Sequence, residues 1–131
     1  MNEAPRFKRG DIWIVAGGKD YAGKPRPVVI VQDDGFDATG SITICAFTTD
    51  ETDAPLFRLP MHPNGRNGLL APCRLMVDKV STVAKTKVGA RVGRLDDEDI
   101  LRLNQALLVF LGLAVSPRRA GRIENEHPVS L

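Results

Sequence analysis

The residues of this chain best suited to chemistry fall in three short clusters. Arg26 stands between Pro25 and Pro27 at the head of the apolar run Val28-Val29-Ile30-Val31, Thr48 and Thr49 close the run that begins at Ser41, and Asp78-Lys79-Val80-Ser81-Thr82 forms a polar, mixed segment. Pro27 biases Arg26 towards an extended backbone, and Pro25 fixes φ one residue earlier. A planar guanidinium with five donors is thus carried on a stiff base, a good arrangement for aiming a cation at a phosphate. The plainer reading is a surface arginine that closes a strand. Upstream, Gly17-Gly18-Lys19-Asp20-Tyr21-Ala22-Gly23-Lys24 is glycine-rich and aperiodic, so it reads as a mobile loop. Its Lys19 and Lys24 suit phosphate attraction and Tyr21 suits base stacking, although a hairpin loop with solvated lysines would look the same.

The elements that must hold these residues are mostly strands. Asp11 to Ala16 reads as a first strand opened by Gly10, which explains Arg9-Gly10-Asp11 better than an adhesion motif does. Val28 to Val31 is β-branched, too short for a helix and bounded by Pro and Asp-Asp-Gly, so it reads as a strand buried on both faces. Ser41 to Thr48 is a third strand, Leu56 to Met61 a short one, and Leu69–Ala71 with Cys73–Val77 a strand broken by Pro72. Val83 to Val88 has room for one helical turn, and Ala90 to Leu95 makes a last strand. Helical signals come late. Asp96 is a candidate N-cap, Asp99 approximates a capping box, and Leu95 with Ile100 can form a hydrophobic staple. Ile100, Leu103, Leu107, Phe110 and Leu111 share one face of a helix from Asp97 to Leu113, while Leu101, Leu108 and Val109 fall off it. A helix apolar nearly all round wants a second surface, which a homodimer would supply. Many short strands and one late helix point to a mainly β fold, a small bent barrel or two packed sheets. The expected division is a domain over residues 1–115 and a flexible tail over 116–131.

Totals narrow the function classes. With 131 residues, 43% of them hydrophobic, one domain with a core is expected. A net charge of +2 means that affinity for polyanions must come from local clustering. No apolar run approaches the ~20 residues of a membrane span, and the first residues lack the apolar segment of a signal peptide. Cys45 and Cys73 then read as reduced thiols, which implies the cytoplasm. His62 and His127 are far apart without nearby Cys partners, so no metal site is expected. His62 lies in a Pro-Asn-Gly turn and reads as solvated.

Taken in order, Arg9-Gly10-Asp11-Ile12-Trp13, Arg26-Pro27-Val28-Val29-Ile30-Val31, Cys45-Ala46-Phe47-Thr48-Thr49, Asp78-Lys79-Val80-Ser81-Thr82 and Gly93-Arg94-Leu95 resemble the MazF/PemK toxin endoribonucleases. The likeness runs from about Arg9 to Leu113. It implies an SH3-like barrel of the CcdB/MazF type, with the C-terminal helix at a homodimer face and a cognate antitoxin as partner. It implies cleavage of single-stranded RNA, usually mRNA, at a short sequence with no cofactor. Arg26 and Thr48 match the catalytic arginine and threonine. Lys19, Tyr21 and Lys24 fall in the loop that covers RNA; Thr49 adjoins Thr48, and Asp78, Lys79 and Ser81 fall in the segment lining the RNA groove. Several members carry Gln and Arg or Lys where this chain has Lys79 and Ser81, a difference that bears on the recognition sequence. The chemistry is compatible, because the RNA 2′-OH is the nucleophile and the enzyme must supply proton transfer and charge stabilisation. Two other classes match the sequence less well. A CcdB-like gyrase poison needs an apolar, Trp-bearing C-terminal tip, which Val129-Ser130-Leu131 does not match. An adaptor for proline-rich peptides needs an aromatic groove, and aromatics are 5% of the chain.

Overall fold

The computed structural model describes residues 6–17 and 24–115. Within them the chain forms β1 (Asp11–Val15), β2 (Arg26–Ile30), β3 (Ser41–Thr48), β4 (Arg58–Met61), β5 (Cys73–Met76), β6 (Ser81–Ala84), β7 (Val88–Arg94) and α1 (Asp97–Phe110). The seven strands pair antiparallel in the order β4-β5-β3-β2-β1-β7, with β6 also on β3. The sheet is strongly bent and open: β4 and β7 are its two ends and do not pair with each other.

Strand β3 is the organising element, because β2 lies on one side and β5 followed by β6 on the other. Phe47 faces Leu75 whereas Ile44 faces Ser81, so three extra residues, the 3-10 turn Val77–Lys79, bulge out between β5 and β6. Alternation along β2 and β3 feeds two cores. Val29, Cys45 and Phe47 join Ile12, Leu75, Leu95, Leu103 and Ala106 beneath the helix. Val28, Ile30, Ile42, Ile44 and Ala46 join Phe7, Trp13 and Val15 on the opposite face. The strand expected to be buried on both faces is therefore so, with Val28, Val29 and Ile30 all inaccessible. Phe7 meets Trp13 edge-on at 4.8 Å, and the Arg6 guanidinium lies 5.1 Å and 5.6 Å from the two rings.

The open edge is bridged by the β4–β5 connection. The Arg94 amide donates to the Arg66 carbonyl at 3.0 Å, tying the connection to β7. Asn67, buried, shapes it: its Oδ1 accepts from the amides of Asn64 (3.1 Å) and Leu69 (3.0 Å), and its Nδ2 donates to the His62 carbonyl (2.9 Å). Two glycines permit the contact. Gly68 has φ +66, and a Cβ there would collide with the Val92 carbonyl. A Cβ on Gly93 would sit 2.5 Å from the carbonyl oxygens of Arg66 and Asn67.

Several local expectations need correction. Leu69–Ala71 is not a strand, because the Asn67-centred loop holds its backbone. The helical turn expected over Val83–Val88 is confined to Lys85–Lys87, since Ser81–Ala84 is drawn into pairing with β3. Asp96 holds the N-cap position, but its carboxylate makes no capping bond. Asn64 Nδ2 donates to it at 3.1 Å and Arg66 approaches to 4.0 Å. The Asp99 carboxylate accepts from Arg102 at 2.8 Å, so the expected capping box is absent. The helix also ends at Phe110, earlier than expected, with a turn through Gly112 at φ +77. The segment 116–131 lies outside the described residues.

Replacing Gly93 by Ala should destabilise the protein by about 1–3 kcal/mol, because the carbonyls it would meet belong to backbone rather than to flexible side chains. Urea unfolding of the variant checks this, and an unchanged midpoint would show that the bridge gives way freely.

Candidate functional site

Arg26 begins β2, and Thr48 ends β3. These strands are antiparallel neighbours, and the register that pairs Val28 with Ala46 brings Arg26 opposite Thr48 at one mouth. That mouth is a cavity of about 410 Å³ whose lining includes Arg26, Thr48 and Thr49. Its remaining walls are mainly apolar: Ile14 from β1, Phe47 from β3, Leu69 and Leu70 from the β4–β5 connection, and Val92 from β7. Pro25 and Pro27 also line it, so the rigid flanks that hold Arg26 extended are themselves part of the wall.

Charge is distributed so that Arg26 stays available. Among the described residues, Arg58, Arg66, Arg91, Arg94, Arg102 and Lys85 each pair with a carboxylate. Arg26 forms no such pair among them. Thr48 Oγ1 accepts a hydrogen bond from the Asp50 amide at 3.1 Å. One lone pair is thereby engaged, and the hydroxyl proton remains free to donate. Asp50 is held below the usual carboxylate range, first by the Thr52 hydroxyl and amide and then by Arg58 and Arg74, so it stays ionised and is a weak base. Cys73 lines the cavity, but burial pushes its thiol up to about 11. Cys45 lies deeper, pushed up to about 12 by burial and by the charge of Asp78. Both are therefore neutral thiols at neutral pH and poor nucleophiles.

The other expected site residues are dispersed. Lys24 is exposed just before Pro25, beside the cavity rim. Lys19 and Tyr21 lie outside the described residues. Asp78 sits in the bulge between β5 and β6, where Arg58 grips it bidentately, Nε to Oδ1 at 2.7 Å and Nη2 to Oδ2 at 3.0 Å. Lys79 and Ser81 are exposed, Ser81 opposite Ile44 on β3. None of these three lines the cavity. Conversely, three residues near it escape a reading of the sequence. Arg74 sits opposite Thr48 across the β3–β5 pair and donates to the Asp50 carbonyl at 3.1 Å. Val92 is the extra residue of a bulge, since Ile12 pairs with Gly93 and Trp13 with Arg91. Bulges re-aim side chains in this way. Leu70 is 99% exposed at the rim. Among the described residues there is no group of three metal-binding side chains, and no helix is long and apolar enough to cross a membrane.

A bent antiparallel sheet backed by one C-terminal helix, with an arginine that has no ion-pair partner among the described residues and a threonine pair at an apolar cavity, defines a small, mainly β fold with a candidate site at one mouth. Residues 8–111 match the family of PemK-like, MazF-like toxins of type II toxin–antitoxin systems. The chain is 52% identical over 108 residues to a probable endoribonuclease MazF of Mycolicibacterium smegmatis, covering 82% of this chain and 99% of that protein. Solved structures share the fold. A mycobacterial endoribonuclease in complex with its cognate antitoxin superposes with TM-score 0.69 at 22% identity, over 83% of this chain and 98% of that one. A MazE–MazF structure from Deinococcus radiodurans gives TM-score 0.67 at 14% identity, over 82% and 97%. The chain belongs to the PemK/MazF family, that of the MazF-type toxin endoribonucleases. Its barrel-like sheet has the expected fold with an edge left open.

The Arg58–Asp78 pair gives a pH test. The Arg58 hydrogen bonds hold the Asp78 carboxyl below its ordinary 3.8. The stability from this shift is therefore complete above that value and lost as pH falls through the lower folded-state value. Asp78→Asn should cost about 1–3 kcal/mol at neutral pH, with a smaller difference from wild type in urea titrations near pH 3. A difference independent of pH would refute the assignment.

Proposed function

We propose that this chain is a toxin endoribonuclease that cuts single-stranded RNA, chiefly mRNA, at a short sequence without a metal ion. The observation that carries it is the convergence of Arg26 and Thr48 on one cavity mouth. In the reaction the ribose 2′-oxygen attacks the adjacent phosphorus as its proton leaves. The P–O5′ bond breaks and the 5′-oxygen takes up a proton. The products are a 2′,3′-cyclic phosphate and a 5′-OH. Arg26 donates to the phosphorane oxygens as negative charge develops, and the free Thr48 proton bonds a non-bridging oxygen or orients the 2′-OH. Thr49 and Lys24 extend the contact along the backbone, together with Lys19, Tyr21, Lys79 and Ser81. Asp78 acts there by fixing Arg58 and the bulge that presents Lys79.

The same reading includes a homodimer and a cognate antitoxin in the cytoplasm. Leu101, Leu108, Leu111 and Leu113 are 60%, 45%, 57% and 72% exposed on and just after α1, an apolar surface that a second copy would cover. The antitoxin would reach the Arg26 mouth with an acidic segment that orders on binding and competes with RNA. Leu101→Glu with Leu108→Glu should give a monomer in sedimentation at micromolar concentration, where the wild type sediments as a dimer. A wild-type monomer would remove the dimer from the proposal.

Purified protein should cut a long RNA in EDTA and leave duplex DNA intact. Arg26→Lys keeps the charge but loses the planar fork, so the rate at saturating RNA should fall about 10²–10³-fold. Thr48→Val should slow cleavage with folding retained. Lys19→Ala with Lys24→Ala should weaken binding and flatten its salt dependence, with a near-normal rate at saturation. Cleavage that needs added Mg²⁺, or wild-type turnover by Arg26→Lys, would be incompatible with this mechanism.

A further inference from the structure

Thr48 stands where the chain leaves β3 for an acidic connection. Thr49 to Asp53 are all exposed, so no buried side chain anchors this exit. Hydrogen bonds order it instead. The Asp50 amide donates to Thr48 Oγ1 at 3.1 Å, and Asp50 Oδ1 accepts from the Thr52 amide at 2.8 Å and the Thr52 hydroxyl at 2.6 Å. These three bonds are local: they shape the turn but tie it to nothing outside itself. The tie comes from β5, where Arg74 Nη1 donates to the Asp50 carbonyl at 3.1 Å across 24 positions of sequence.

The register explains this reach. Thr48 and Arg74 are direct partners in the β3–β5 ladder, and directly opposed side chains leave the same face of a sheet. Strand β5 is itself flanked by β3 and β4, so the half-buried Arg74 starts from a fixed strand and ends on the exposed turn. Arg74 forms no ion pair among the described residues, and it does not line the cavity. Asp50 joins the two side chains: its carbonyl is held by Arg74 and its amide is bonded to Thr48. Threonine has few χ1 choices, and a bond to Oγ1 selects one of them and limits where the hydroxyl proton can point.

We infer that Arg74 is a positioning residue: it holds the Asp50 carbonyl, the Asp50 amide in turn holds Thr48 Oγ1, and the threonine hydroxyl is thereby kept in one orientation at the Arg26 mouth. The role of that orientation in cleavage rests on the endoribonuclease reading; the linkage from Arg74 to Thr48 is a property of the free protein. A residue acting in this way alters how well a donor meets the transition state, and so affects rate more than RNA affinity.

The test uses the full chain and an RNA with one mapped cleavage site. Arg74→Met keeps an unbranched stem on β5 and removes every donor. Its kcat should fall about ten-fold, the effect of a modest misalignment, with KM and its salt dependence unchanged. Arg74→Gln, too short to span the same gap, is a second variant and should behave alike, whereas Arg74→Lys restores one donor and should recover most of the rate. In a Thr48→Val background, Arg74→Met should cost nothing further, because the group it positions is gone. Without RNA, the three-bond NMR couplings of Thr48 should report one χ1 rotamer in the wild type and averaging in Arg74→Met. Wild-type kcat for Arg74→Met and Arg74→Gln would overturn the inference, as would losses that multiply with Thr48→Val. A raised KM with a shallower salt dependence and unchanged kcat would overturn it in favour of a direct phosphate contact. If the wild-type protein cuts no RNA, the nuclease reading fails by itself, and the Thr48 couplings decide the linkage: unchanged couplings in Arg74→Met would reject that as well.

Discussion

The close approach of the β4–β5 connection to β7 is the constraint on which the rest of the molecule depends. An open sheet of seven strands leaves two edges with unpaired backbone groups. Here one edge is closed by a loop whose carbonyls lie against Gly93, where no side chain would fit. A buried Asn67 with its acceptor and donor both satisfied gives that loop one conformation. A polar network of this kind rigidifies because each unmade bond would be costly away from water. The cavity depends on this closure: Arg26 and Thr48 of β2 and β3 stand at its rim, and the connection and β7 complete walls that Ile14 of β1 and Phe47 of β3 begin.

Ion pairing divides the cations into those tied to a carboxylate and those left outside an ion pair among the described residues. Buried Asp11 gathers Arg94 at 3.3 Å and Arg91 at 3.4 Å, and Arg94 also donates to the Arg9 carbonyl at 2.7 Å. This knot joins the start of β1 to the end of β7 just ahead of the helix. Lys85 bonds Asp37, and Arg58 bonds Asp78. A net charge of +2 thus understates the local field. Cations neutralised by neighbours contribute little to an incoming anion, and Arg26, one of the described arginines outside any ion pair, stands at the cavity mouth.

The sequence revealed those features that depend on short stretches. Val28–Ile30 is the doubly buried part of β2, legible because its residues are all apolar and β-branched, whereas Val31 lies just past the strand and is half-buried. Ser41–Thr48 has the bounds expected from its alternation. What was hidden depends on distant partners. Asp96 has a good N-cap identity, but Asn64 and Arg66 compete for its carboxylate from a loop that packing alone brings near. Val83–Val88 carries helix-compatible residues, yet Val83 and Ala84 pair with β3 and Val88 with β1. Arg26 and Thr48 were recognisable through their motifs, whereas Leu70, Val92 and Arg74 sit in no motif. Their relevance comes from a loop conformation, a bulge and a cross-strand register, none of which leaves a local pattern.

An apolar hollow beside Arg26 also has an energetic logic. A guanidinium–phosphate contact in open water is weak, because both groups are well solvated and the local dielectric is high. Filling the hollow with an organic group expels water from the region between Arg26 and Thr48. Each remaining donor then acts in a lower dielectric, where its interaction with developing charge is stronger. Leu70, held out in solvent beside the mouth, is a local exception to apolar burial in the free protein. On the proposed reading, binding and catalysis are coupled through one cavity: the exclusion of water raises what one arginine and one hydroxyl can do to a phosphate at its mouth.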